Sequence, residues 1–180
     1  MSDIGWCLVD LAAPPGEAES RAARVRHWLL YEHVVIPNPT RDDLWQPSEL
    51  APGPAWRLVV GDGVDDGFLR VADNGVDVDA GWAVHGKAGT SAPSCARCGT
   101  ALALEEHRIL VEAWDERRAE PAASCASCGT TAQLSSWVGD DVALCGAMAV
   151  TFHQWPRPSP AFLLAAGHRL GSRVGFAPAG

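Results

Sequence analysis

Two six-residue segments constrain this chain more than any other feature. Cys95-Ala96-Arg97-Cys98-Gly99-Thr100 recurs 30 positions later as Cys125-Ala126-Ser127-Cys128-Gly129-Thr130. The flanks match as well: Ala-Pro-Ser precedes the first segment, Ala-Ala-Ser the second, and a leucine follows each, at Leu102 and Leu134. Two cysteines separated by two residues turn both sulfurs toward one point while backbone N–H groups of the turn face them. A glycine after the second cysteine permits the left-handed conformation by which the chain leaves the turn. Two such turns supply four thiolates, the donor set for a tetrahedral Zn²⁺ with Zn–S bonds of about 2.3 Å.

The paired CxxCG knuckles resemble the zinc-ribbon family, over Ser94 to Val138, about a quarter of the chain. The resemblance implies a structural Zn²⁺ held by Cys95, Cys98, Cys125 and Cys128. It implies no particular activity, since ribbons serve nucleic-acid, protein and enzyme-assembly roles alike. Four thiolates fill the coordination sphere, whereas a catalytic zinc needs a position open to water. Closing such a site contributes on the order of 10 kcal/mol to folding. Three other uses of the cysteines are weaker. Disulfides are rare in a chain without an export signal. Rubredoxin-like iron sites commonly carry proline within the knuckle, where this chain has Ala96 and Ala126. Thioredoxin-like redox work needs one CxxC at the start of a helix. Between the knuckles, Ile109, Val111 and Ala113 alternate with Arg108, Leu110 and Glu112, which predicts a strand. His107 is an alternative ligand, but reads more simply as an exposed turn residue.

The rest of the chain reads as an α+β core, residues 1–92 and 139–180, with the ribbon inserted as residues 93–138. Ile4 to Leu11 is an apolar run of strand formers stopped at Pro14-Pro15-Gly16. Glu17 to His33 has helical spacing, with Ala18, Ala22, Val25 and Leu29 on one face and an i,i+4 pair, Glu17 and Arg21, on the other. Val34 to Ile36 and Trp56 to Val60 suggest short strands, with a proline-interrupted connection between them that Trp45 anchors. Segments 68–72 and 76–80 flank Asp73-Asn74-Gly75, a hairpin signal, with the second strand continuing to Val84. Val142 to Trp155 is an apolar strand, buried on both faces in its first half. A helix follows from Pro160 to Leu170, with Ser159 as N-cap, Phe162, Ala166 and Leu170 inward, and Gly171 just beyond. Residues 173–176 suggest a final edge strand. This order predicts a mainly antiparallel sheet with two helices on one face, for which a ferredoxin-like arrangement is one candidate.

Composition narrows the function classes. The 180 residues carry a net charge of −8, a poor match to a phosphate backbone and a better one to a basic protein partner. Arg97, Arg108, Arg117 and Arg118 near the knuckles are offset by neighbouring acids, so nucleic-acid binding through the ribbon is a weak alternative. No run is long enough to span a membrane, and Asp3 stands where a signal peptide is basic, which together favour a cytoplasmic location. The acidic stretch Asp62 to Asp79 lacks EF-hand spacing. Cys7 and Cys145 sit in apolar runs as core thiols. The expectation is a non-enzymatic zinc-binding protein that docks a protein partner, a description that would suit an immunity or antitoxin-like protein. The alternative is an enzyme, or an enzyme's accessory subunit, whose cleft gathers Cys145, His153, His85 and Asp10.

Overall fold

The computed structural model describes residues 5–39, 48–71, 73–86, 92–139 and 142–179. Trp45 lies outside them. The chain begins with β1 (Gly5–Asp10) and α1 (Ala18–Tyr31), followed by short strands β2 (Val35–Pro37) and β3 (Leu50–Pro52). A four-residue helix, α2 (Arg57–Val60), and the long strand β4 (Gly75–His85) come next. The cysteine module contains α3 (Leu104–Arg117), β5 (Ala122–Ser124) and β6 (Thr131–Gln133). Strand β7 (Leu144–His153), α4 (Pro160–Leu170) and β8 (Val174–Pro178) complete the chain. Six strands form one sheet in the order β2-β3-β4-β7-β1-β8, and every pairing is antiparallel. The mainly antiparallel sheet expected from the sequence is there, with the short strands β2 and β3 added at one edge.

Strand alternation sends β1 into two cores. Leu8 points to the face covered by α1 and α4, where it meets Val25, Leu29, Phe162 and Ala166. Cys7 and Val9 point to the other face, into a cluster with Val111, Trp114, Leu134 and Trp137 of the cysteine module. A strand covered on both sides has no need of polar residues, which is why β1 and β7 are almost wholly apolar. The two helices expected on one face are there. A third, α3, lies on the other.

The ribbon of β4 and β7 does not stay flat. Between Ala80 and Ala83 it carries a bulge, and the register changes from Ala80 opposite Met148 to Ala83 opposite Gly146. Beyond the bulge it folds over β1 and β8. A Cβ on Gly146 would lie 2.4 Å from Cγ1 of Val9, and one on Gly175 would lie 2.6 Å from Leu144. Glycines at these positions let the folded ribbon reach van der Waals contact.

Three local expectations are corrected. Residues 57–60 are a helical turn, ended by Gly61 at φ 84°, with Val59 and Val60 buried beneath it. Residues 66–70 form a 3-10 turn, so the Asp73-Asn74-Gly75 hairpin does not form. Asp65 caps that turn by accepting from the Gly67 N–H at 2.7 Å, and the Asn74 amide donates to the Phe68 carbonyl at 2.7 Å. Phe68 is thereby held against Trp56 and Trp155, a burial that outweighs the local turn preference. Third, residues 109–113 belong to α3. Its true apolar period is His107, Val111 and Trp114, all buried, with Glu105 and Glu106 in the first turn and Arg117 in the last.

The Glu17–Arg21 pair forms at 2.9 Å, but Arg21 has a second and deeper partner. Its Nη1 donates to Oδ2 of Asp10 at 2.7 Å, and Asp10 is fully buried at the end of β1. Oδ1 of Asp10 accepts from the Ala12 N–H at 3.0 Å. Gly171 makes room for this group, since a Cβ there would lie 2.7 Å from both carboxylate oxygens. Removing one partner of a buried pair leaves the other charge desolvated. Arg21→Ala is therefore expected to lower stability by about 3 kcal/mol in urea unfolding, and Gly171→Ala to lower it by about 1–3 kcal/mol through overpacking. An Arg21→Ala loss below about 0.5 kcal/mol, the level of an exposed pair, would show that Asp10 is solvated.

Candidate metal centre

The two knuckles have the same backbone. In the first, the Gly99 N–H donates to the Cys95 carbonyl at 2.8 Å and the Cys95 N–H to the Thr100 carbonyl at 2.9 Å; in the second, Gly129 donates to Cys125 and Cys125 to Thr130, both at 2.9 Å. Gly99 and Gly129 take φ values of 73° and 68°, the left-handed conformation that the repeated glycine predicts. The hairpin of β5 and β6 frames the second knuckle. The first is closed by bridges from Ser94 to Ala101 and to Val138. Leu102, Leu134 and Trp137 pack behind both turns.

These turns bring four sulfurs together. Sγ of Cys95 lies 3.8 Å from that of Cys128, and Sγ of Cys98 lies 3.5 Å from that of Cys125. All four sulfur atoms fall within 4.8 Å of one another, the one such group of potential metal ligands among the described residues. A tetrahedron of Zn–S bonds near 2.3 Å has edges of about 3.8 Å, so the donor set fits a single ion of that size. Cys95 and Cys125 are buried, Cys128 is half-buried and Cys98 reaches the surface.

A duplicated hydroxyl completes the site. Oγ1 of Thr100 lies 3.3 Å from Sγ of Cys98, and Oγ1 of Thr130 lies 3.3 Å from Sγ of Cys128. A hydroxyl so placed donates to a thiolate and stabilises it. The Thr130 hydroxyl, helped by its backbone, draws the Cys128 thiol down to about 6, and Thr100 acts in the same direction on Cys98. The repeat thus extends to Cys-x-x-Cys-Gly-Thr, each threonine standing beside the second cysteine of its own knuckle, a place to which sequence reasoning assigned no role.

His107 is corrected from an exposed turn residue to a fully buried position on α3, within the described residues and apart from the sulfur group. Trp114 and Trp137 are buried as well, so neither offers an exposed docking ring. The module is tied to the sheet by polar contacts beyond its core. Arg173, just before β8, pairs with the nearly buried Glu120, whose other oxygen accepts from the Ser135 N–H at 2.8 Å. Trp82 of β4 donates to Asp115 of α3 at 2.9 Å.

The catalytic constellation weighed from the sequence is divided. Asp10 is taken up by Arg21, and Cys145 is buried in the second core. His85 and His153 do line one cavity of about 310 Å³ beneath the folded ribbon, together with Cys7 and Thr151. Nε2 of His153 lies 3.0 Å from Oδ2 of Asp77. Burial pushes the Cys7 thiol up to about 12, against the opposing effect of the hydrogen bond that Thr151 donates to its sulfur at 3.7 Å, so Cys7 is held as a neutral thiol and not as a nucleophile.

No family of known proteins, no curated protein and no solved structure matches this chain. Among the described residues no helix is long and apolar enough to cross a membrane. The four-cysteine group thus stands on its own geometry as a possible metal site. Replacing Thr130 with valine should raise the Cys128 thiol and let protons compete better for it. We expect zinc affinity about tenfold lower and acid release of the ion shifted to higher pH, read by a zinc-sensitive dye during a pH titration. An unchanged release midpoint would show that the hydroxyl plays no part in holding the ion.

Proposed function

We propose that this chain is a non-enzymatic protein-binding module of the reducing cytoplasm, in which Cys95, Cys98, Cys125 and Cys128 hold a structural Zn²⁺. The observation that carries the reading is the convergence of four sulfurs from two matching turns into a donor set that needs no further ligand. We take the module as a zinc-ribbon variant in which α3 occupies the span between the knuckles. A saturated ion performs no hydrolysis; it fixes two turns that are too short to hold themselves, and with them the cover of the sheet's second face. The six thiols are all unpaired as disulfides, which suits a reducing compartment. The net charge of −8, with Asp62, Asp65, Asp66 and Asp73 gathered before β4, suits a basic partner, as for a small protein that neutralises a toxin.

An enzymatic reading has one observation in its favour, the His85–His153 cavity with Asp77 orienting His153. The thiol state of Cys7 weighs against it as a covalent catalyst.

Elemental analysis of the native protein should find one zinc per chain. Cys95→Ser with Cys98→Ser should abolish it and expose the apolar cover of the sheet, read as dye binding. Iron in place of zinc would overturn the identity of the ion, and full metal retention by the double variant would overturn the ligand assignment. The binding reading would fall if crosslinking in the protein's own cells captured no protein.

A further inference from the structure

We propose that the outer face of α1 and α4 is a docking trough for an acidic, amphipathic segment of a partner protein, an inference that rests on the protein-binding reading above. Two open-sided hollows, of about 560 and 340 Å³, adjoin along these helices and share Trp28, Glu32 and Arg169 as walls. Trp28 forms the floor, stacked on Phe162 with ring centroids 5.7 Å apart. Tyr31 at one end is 72% exposed and Leu58 at the other 56% exposed, more apolar surface than isolated residues on a helical face require. The stretch of α1 involved, from Ala23 to Glu32, spans about 14 Å at 1.5 Å per residue, the length of two to three turns of a bound helix.

Charge selects the occupant. Arg24 and Arg169 stand on the rim with His27 between them, against the single acid Glu32. Among the described residues neither arginine has an ion-pair partner, a state they share with Arg57, Arg97, Arg117, Arg118 and Arg157, and here two such cations flank one aromatic floor. Arg169, itself exposed, lies over the Trp28 ring at 5.8 Å, which sets the cation beside the apolar floor. An unpaired cationic rim around an aromatic floor matches a helix with aliphatic or aromatic anchors on one face and carboxylates flanking them. A second copy of this chain fits poorly, because a two-fold contact through the same patch would set Arg24 and Arg169 against their own kind.

The test uses the zinc-loaded full chain, panned against a displayed library of random 16-residue peptides. Enriched peptides should be net acidic, with apolar residues at i and i+3 or i+4. Synthetic copies should bind about tenfold more weakly to the Arg24→Gln, Arg169→Gln variant and to the Tyr31→Ser, Leu58→Ser variant, each keeping its near-ultraviolet circular dichroism. Affinity should also fall between 50 and 300 mM salt. Enrichment of neutral or basic peptides would overturn the proposal. So would acidic peptides that bind both variants as tightly as the parent, an outcome that moves the docking surface elsewhere and leaves the protein-binding reading intact. A dimer by sedimentation that Leu58→Ser dissociates, or adsorption to phosphatidylserine vesicles that Arg169→Gln abolishes, would assign the trough to those occupants instead. A chain that enriches no peptide and crosslinks no cellular protein would lose both readings together.

Discussion

The convergence of four sulfurs decides more than a metal site. The sheet buries two faces, and only one is covered by helices that the core sequence supplies. The other is covered by Leu102, Val111, Trp114, Leu134 and Trp137, all from the cysteine module. The knuckles bearing Cys95 and Cys125 bring these residues together, and the two turns have few hydrogen bonds of their own beyond the internal pairs from Cys95 to Thr100 and from Cys125 to Thr130. An ion at that point would act as the keystone of a hydrophobic cover. The Arg173–Glu120 pair and the Trp82–Asp115 bond then fix where the cover sits.

Legibility from the sequence followed the range of the interactions. Helix α1 was readable from its apolar spacing alone, and α4 from spacing, caps and its basic last turn together; Ser159, Pro160 and Gly171 delimit α4 without reference to the rest of the molecule. The knuckles were readable because a ligand geometry is written into four residues. What was missed depended on distant partners. Asp73-Asn74-Gly75 has the local chemistry of a hairpin, but Phe68 gains more by packing against Trp56 and Trp155 than by pairing as a strand. The alternation in Ile109, Val111 and Ala113 is a five-residue coincidence inside a fourteen-residue helix. The longer period through His107, Val111 and Trp114, with acids at the start and arginine at the end, was the signal that finds α3.

Charge is distributed in the same economical way. Arg21 satisfies an exposed glutamate and a buried aspartate at once, joining α1 to the end of β1. Of that arrangement the sequence displayed the helical neighbour and hid the buried one, since nothing in a linear pattern marks Asp10 as lying under a helix. Most remaining ion pairs lie at the surface, where they contribute little to stability. Arg24 and Arg169, beside Trp28, have no ion pair among the described residues, and they line a groove.

The bulge between Ala80 and Ala83 has a consequence for how the protein tolerates change in length. Three residues of β4 there run against two of β7, and that mismatch of one rotates Val84 and His85 across β1 and β8. Deleting a single residue from the segment would restore an even ladder and make the strand pairing locally more regular. With Ala83 still opposite Gly146 the later side chains of β4 would keep their faces, but the bend would be lost and with it the roof over Cys7 and Thr151. The irregularity is thus a counting device, and this stretch should be among the least forgiving in the chain to insertion or deletion, although much of its surface faces solvent.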